Sequence, residues 1–139
     1  MGTSEHGTLT RFIVHRHRTG RAHLDLRLIV GDLLRSWSLL KEPPFRPGEQ
    51  RLAVERESLP PEAIRYTSFE EQAFGAGRVT TWDEGEVEIS GAGPELLSLV
   101  FTGTRLSGRY ELRRTRWYPG NRWLLRKMGG AEDAPAKLP

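Results

Sequence analysis

Short stretches of alternating apolar and polar residues, cut at even intervals by glycine and proline, run along this chain and leave almost no helical periodicity. A period of two sends successive side chains to opposite faces, so each stretch reads as a half-buried strand. Residues 11–17 alternate first, Thr19-Gly20 interrupts, and residues 22–30 resume. Gly31-Asp32 is a turn pair leading into residues 33–39, which predicts a hairpin. Glu42-Pro43-Pro44 and Pro47-Gly48 then form a loop, residues 51–57 a short strand, and Pro60-Pro61-Glu62-Ala63 one helical turn at most. Gly75-Ala76-Gly77 opens a strand over 78–82; Asp83-Glu84-Gly85 reads as a turn into 86–90, and Gly91-Ala92-Gly93-Pro94 as another break. Strands over 97–102, 108–114 and 122–128 complete the series. The expectation is an all-β, antiparallel fold with little helix, a barrel or a sandwich. Its 139 residues fit one domain, placed at 11–128 between flexible ends at 1–10 and 129–139.

One strand carries chemistry. In the run H-R-T-G-R-A-H-L-D-L-R, His23, Asp25 and Arg27 alternate with Leu24, Leu26 and Leu28, so the three polar side chains share one face. His17 lies six residues upstream. Two neutral imidazoles and a carboxylate suit a divalent metal such as manganese or zinc, and a guanidinium beside them is shaped to hold a phosphate in a fork. The ordinary alternative is a solvated strand face with an Asp–Arg pair. His15 is close enough to share the face of His17, whereas His6 sits in a Gly- and Ser-flanked end. Gly75-Ala76-Gly77 precedes no helix and so is not a nucleotide fingerprint, and no serine occupies a nucleophile-elbow context.

Composition narrows the classes. The apolar fraction is 37%, and 15 glycines bring it to about 48%, a globular value. With no cysteine, there is neither a disulfide nor a thiolate site, so nitrogen and oxygen must hold any metal. No apolar run is long enough to span a bilayer and no signal peptide is visible, which leads to the expectation of a soluble, cytoplasmic protein. Net charge is +3, yet 18 of the 21 basic residues are arginine. Between Arg105 and Lys127, eight basic residues face one acid, Glu111, with Tyr110, Trp117, Tyr118 and Trp123 interleaved. That mixture fits a backbone-tracking nucleic-acid surface, with strand tryptophans in the core as the competing explanation.

Taken in order, the motifs resemble the 3′-phosphoesterase domain of bacterial DNA ligase D and its stand-alone homologues. The matching pieces are Phe12-Ile13-Val14 leading to His17, then His23-Leu24-Asp25-Leu26-Arg27-Leu28, Leu34-Arg35-Ser36-Trp37 and Lys41. Arg51-Leu52-Ala53-Val54-Glu55, Tyr66-Thr67-Ser68-Phe69-Glu70 and Phe74-Gly75-Ala76-Gly77-Arg78-Val79 follow. Trp82-Asp83-Glu84-Gly85, Leu106-Ser107-Gly108-Arg109-Tyr110-Glu111-Leu112 and Trp123-Leu124-Leu125-Arg126-Lys127 close the match. The resemblance implies a small β-barrel that uses manganese to remove a 3′-phosphate or a terminal ribonucleoside from strand ends in DNA repair. It implies His17, His23 and Asp25 as metal ligands, Arg27 and Arg51 as the phosphate clamp, and Glu57 and Tyr66 as further active-site positions. The implied partners are nucleic-acid 3′ ends and a DNA ligase or other end-joining protein; a monomer with no membrane attachment is expected.

Three departures accompany the match. Where the family motif reads E-D-H-P, this chain has Glu57-Ser58-Leu59-Pro60, so Leu59 replaces an imidazole that contacts phosphate. A short insertion lies between Pro60 and Tyr66, and the family's N-terminal arm is not recognisable in residues 1–10. Two functions follow: a metal-dependent 3′-end-healing phosphoesterase, or a catalytically weakened barrel that binds nucleic-acid ends or a repair partner.

Overall fold

The first alternating stretches form two consecutive hairpins. β1 (Thr8–His17) pairs with β2 (His23–Val30), and β2 pairs across Gly31-Asp32 with β3 (Leu33–Leu39), all antiparallel. These details come from a computed structural model, which describes residues 7–18, 21–65, 79–116 and 120–129. Residues 1–6 and 130–139 of the expected flexible ends, His6, Tyr66, the Gly75-Ala76-Gly77 stretch, Trp117 and Tyr118 lie outside the described residues.

β4 (Gln50–Glu55) joins β3, and a 3-10 helix over Pro61–Arg65 supplies the single helical turn expected there. β5 (Val79–Gly93), β6 (Leu96–Thr102), β7 (Ser107–Arg114) and β8 (Arg122–Lys127) follow as a meander. β1 pairs with β5 and β4 with β8, which closes an eight-stranded barrel in the order β1-β2-β3-β4-β8-β7-β6-β5. The barrel alternative is therefore the one adopted.

An eight-stranded barrel is just wide enough for its interior to be filled by side chains. Here Phe12, Leu26, Leu28, Trp37, Leu99, Phe101, Tyr110, Leu112, Trp123 and Leu125 fill it, all at most 2% exposed. Burying each such side chain is worth about 1.5–3 kcal/mol. Phe101 meets both Phe12 and Tyr110 edge-on, with centroids 4.9 and 5.4 Å apart. The Tyr110 hydroxyl donates to the Pro44 carbonyl at 2.6 Å, and burial pushes its pKa up to about 12. The Arg35 guanidinium lies over the Trp37 and Trp123 rings and is bonded to Glu55, which also accepts from Trp123 Nε1.

One turn expected from sequence is absent, and a second break is displaced by a few residues. Asp83-Glu84-Gly85 lies inside the uninterrupted β5, because Asp83, Glu84 and Gly85 pair with Val14, Ile13 and Phe12. A register shift between Val14 and His15 bends the strand at this point. Gly85 is needed for packing rather than turning: a Cβ there would stand 2.5 Å from the Thr102 carbonyl. The Asp83 carboxylate accepts three backbone N–H groups from Thr104, Arg105 and Leu106, pinning the β6–β7 loop. The break expected over Gly91 to Pro94 is a register shift between Ser90 and Gly93 within β5, followed by a turn at Pro94-Glu95. No helix among the described residues is long and apolar enough to cross a membrane.

Candidate metal centre

Leu24, Leu26 and Leu28 point into the barrel, so the intervening His23, Asp25 and Arg27 must point out. Register does the same on the flanking strands. His17 lies opposite His23, His15 opposite Asp25, Ile13 opposite Arg27, while Ser38 and Ser36 of β3 face Asp25 and Arg27 from the other side. A polar patch on the outer wall results, much of it buried: His17 is 2% and Arg27 8% exposed.

Within the patch, ligand atoms of His17, His23 and Asp25 all lie within 4.8 Å of one another. His17 Nε2 is 2.8 Å from Asp25 Oδ2, and His23 Nε2 is 3.6 Å from Asp25 Oδ1. The two imidazoles stack with centroids 4.5 Å apart and planes 5° from parallel. His23 Nδ1 lies 3.1 Å from the Arg21 carbonyl. A carbonyl can only accept, so Nδ1 carries a proton there and the contact turns Nε2 toward the cluster, the usual way a metal-binding imidazole is oriented. Ser38 Oγ donates to Asp25 Oδ1 at 2.7 Å. Burial alone would raise the Asp25 pKa, but hydrogen bonds from His17, His23 and Ser38 and the charge of His17 outweigh it and hold the carboxyl well below the usual range. This is a nitrogen–oxygen donor set converging on one point, and it fits a divalent cation. His15 shares the face, its ring centroid 6.4 Å from that of His17, but lies outside the cluster.

The other expected site residues separate. Arg27 occupies the next rung from Asp25, and its Nη1 donates to the carbonyls of Ala63 and Ile64, tying the 3-10 helix to the patch. Arg51 pairs with the inward-facing Leu125 and therefore lies on the opposite side of the wall. It donates to the Glu42 and Gln50 carbonyls. Glu57 is exposed beyond the end of β4, and Tyr66 is outside the described residues. Leu59 forms an antiparallel bridge with Leu34, four residues along β3 from Ser38.

Sequence reasoning missed Ser38 and Arg56, whose Nε donates to Ser38 Oγ at 3.0 Å. Ser38 had a signal: a two-residue turn at Gly31-Asp32 dictates that Asp25 faces Ser38. The basic stretch from Arg105 to Lys127 stands apart from the cluster. β7 stands four strands from β2 in a ring of eight, so much of the stretch from Arg105 to Lys127 lies on the opposite wall. Tyr110 and Trp123 are core residues there and present no stacking face. Besides Arg27 and Arg56, which adjoin the cluster, the basic residues Arg16, Arg18 and Lys41 line, with His23 and Glu42, a groove of about 400 Å³ at the barrel mouth.

The family model that matches this chain is the DNA ligase D 3′-phosphoesterase domain, over residues 15–114. The multifunctional non-homologous end joining protein LigD of Pseudomonas aeruginosa is 34% identical over 139 aligned residues, covering 93% of this chain. Its Mycobacterium tuberculosis and Mycolicibacterium smegmatis counterparts are 33% and 31% identical over 88% and 92% of the chain. The chain spans 16 to 18% of the length of these relatives. With the barrel and the polar patch on its outer wall described, the match over most of the sequence is decisive: this chain belongs to the DNA ligase D 3′-phosphoesterase domain family.

Proposed function

We propose that this domain is a divalent-metal-dependent phosphoesterase that heals the 3′ ends of DNA or RNA strands in end-joining repair, removing a terminal ribonucleoside or a 3′-phosphate. The convergence of His17, His23 and Asp25 within 4.8 Å on the outer wall carries this reading. A manganese ion held there, or zinc in its place, would supply Lewis acidity and a template for the scissile phosphate.

The chain's own groups do the rest. Asp25, oriented by Ser38, and His23, oriented by the Arg21 carbonyl, stay fixed while substrate binds, so little reorganisation is needed during reaction. Arg27 holds the Pro61–Arg65 turn against the patch and adds positive charge one rung away. Arg16, Arg18 and Lys41 line the groove that begins at His23 and give the approaching strand sequence-independent backbone contacts. Arg51 braces that groove from behind through the Glu42 carbonyl.

The second reading, a binder of strand ends or of a repair partner with weakened catalysis, draws on Leu59, which offers no donor to a phosphate. One experiment separates the two. The protein is incubated with manganese and a primer–template whose primer ends in a 3′-ribonucleotide or a 3′-phosphate, and the products are resolved by length and charge. The enzyme reading predicts metal-dependent shortening or dephosphorylation of the primer. Retention of the labelled primer by the protein, with no product at any metal concentration, would leave only the binder.

A further inference from the structure

Arg56 follows β4 directly, and its backbone N–H donates to the Ser36 carbonyl at 2.8 Å. Val54 lies opposite the outward-facing Ser38, so Arg56, two residues on, also projects from the outer wall. Its Nε donates to Ser38 Oγ, and the same hydroxyl donates to Asp25 Oδ1. A hydroxyl has one proton and two lone pairs, so Ser38 serves both bonds without conflict. A fixed link therefore runs from a guanidinium to a carboxylate of the metal centre. Arg56 is exposed, and among the described residues its two Nη groups have no hydrogen-bond partner. Leu59, by contrast, is bridged to Leu34, about 13 Å along the strand from Ser38 at the usual rise, and carries no donor.

We propose that Arg56 clamps the non-bridging oxygens of a phosphate drawn to the His17–His23–Asp25 centre, with Ser38 as the positioning residue that aims its guanidinium. This rests on the metal-dependent phosphoesterase reading and assigns its anion-binding group. A guanidinium anchored through Nε still offers its Nη donors in a planar fork, the geometry two phosphate oxygens accept. Donors fixed beside a metal before substrate arrives also stabilise the charge that gathers on phosphate during transfer.

The test is two successive additions followed by thermal unfolding. Manganese chloride is added first and then millimolar sodium sulfate, a phosphate stand-in that stays soluble with manganese, to wild type, Arg56→Ala and Arg56→Lys. All three proteins should gain the manganese shift. Sulfate should raise Tm further in wild type, with affinity at least tenfold weaker in Arg56→Ala and intermediate in Arg56→Lys. A purely structural Arg56 would instead lower baseline Tm and the manganese shift together. Equal sulfate responses in wild type and Arg56→Ala, or none in wild type, would overturn the clamp while leaving a persisting manganese shift to support the metal centre. No manganese shift in wild type would overturn the metal reading, and the clamp with it.

Discussion

Asp25→Ala should abolish the response to manganese and, with it, metal-dependent turnover. Asp25 is the hub of the cluster: His17 and His23 approach different oxygens of its carboxylate, and Ser38 donates to one of them. Losing an outer-shell partner of a metal ligand already costs about 10–100-fold in affinity or activity, so losing the ligand itself should cost more. At a metal concentration a hundred times Kd, wild type should gain about 2.7 kcal/mol, a Tm rise on the order of 10 °C for a domain of this size. Asp25→Ala should gain nothing. A pH signature accompanies this in metal-free protein. The folded carboxyl titrates below its unfolded value, so the unfolded chain takes up the proton first. The stability Asp25 contributes is complete above the ordinary carboxylate pKa near ~4 and fades as pH falls below it. Urea titrations of both proteins should therefore converge on acidification. A gap between them that widens at low pH would contradict that linkage.

Asp83→Ala should strongly destabilise the barrel while leaving the metal centre intact. The carboxylate is 7% exposed and accepts from Leu106 N at 2.7 Å, Arg105 N at 2.9 Å and Thr104 N at 3.2 Å. Each buried donor left without an acceptor costs about 1–3 kcal/mol. The Leu106 N–H is fully buried, and the other two can regain some water. The net loss should be about 3 kcal/mol in urea unfolding. Asp83→Asn, which keeps one acceptor oxygen, should fall between. Because Asp83 lies opposite the inward-facing Val14, the manganese shift should survive in both variants. A loss under about 1 kcal/mol in Asp83→Ala would mean the loop is held by something else.

Asp83 also marks where sequence reading stopped short. Alternation and the Gly31-Asp32 turn are local properties, and they were enough to place β1 to β3, the shared face of His23 and Asp25, and the antiparallel character of the fold. Asp83-Glu84-Gly85 has the composition of a turn, but its conformation is decided by partners far along the chain. β1 and β6 flank it in the closed ring, Gly85 lets the Thr102 carbonyl come close, and Asp83 is used as a cap. That the basic stretch from Arg105 to Lys127 lies across the barrel from the cluster is hidden for a similar reason. Charge and aromatic content are visible locally, whereas which wall of the barrel they occupy depends on β4 pairing with β8. Arg56 was hidden because β4 reaches β3 through a long loop rather than a tight turn, so nothing in the sequence sets its register against Ser38.

The most direct test of the metal centre is anomalous diffraction from crystals grown with manganese, with data collected on both sides of the manganese edge. A peak in direct coordination contact with nitrogens of His17 and His23 and an oxygen of Asp25, absent from Asp25→Ala crystals, is the predicted result. A peak elsewhere on the barrel, or none at a manganese concentration that supports turnover, would contradict it.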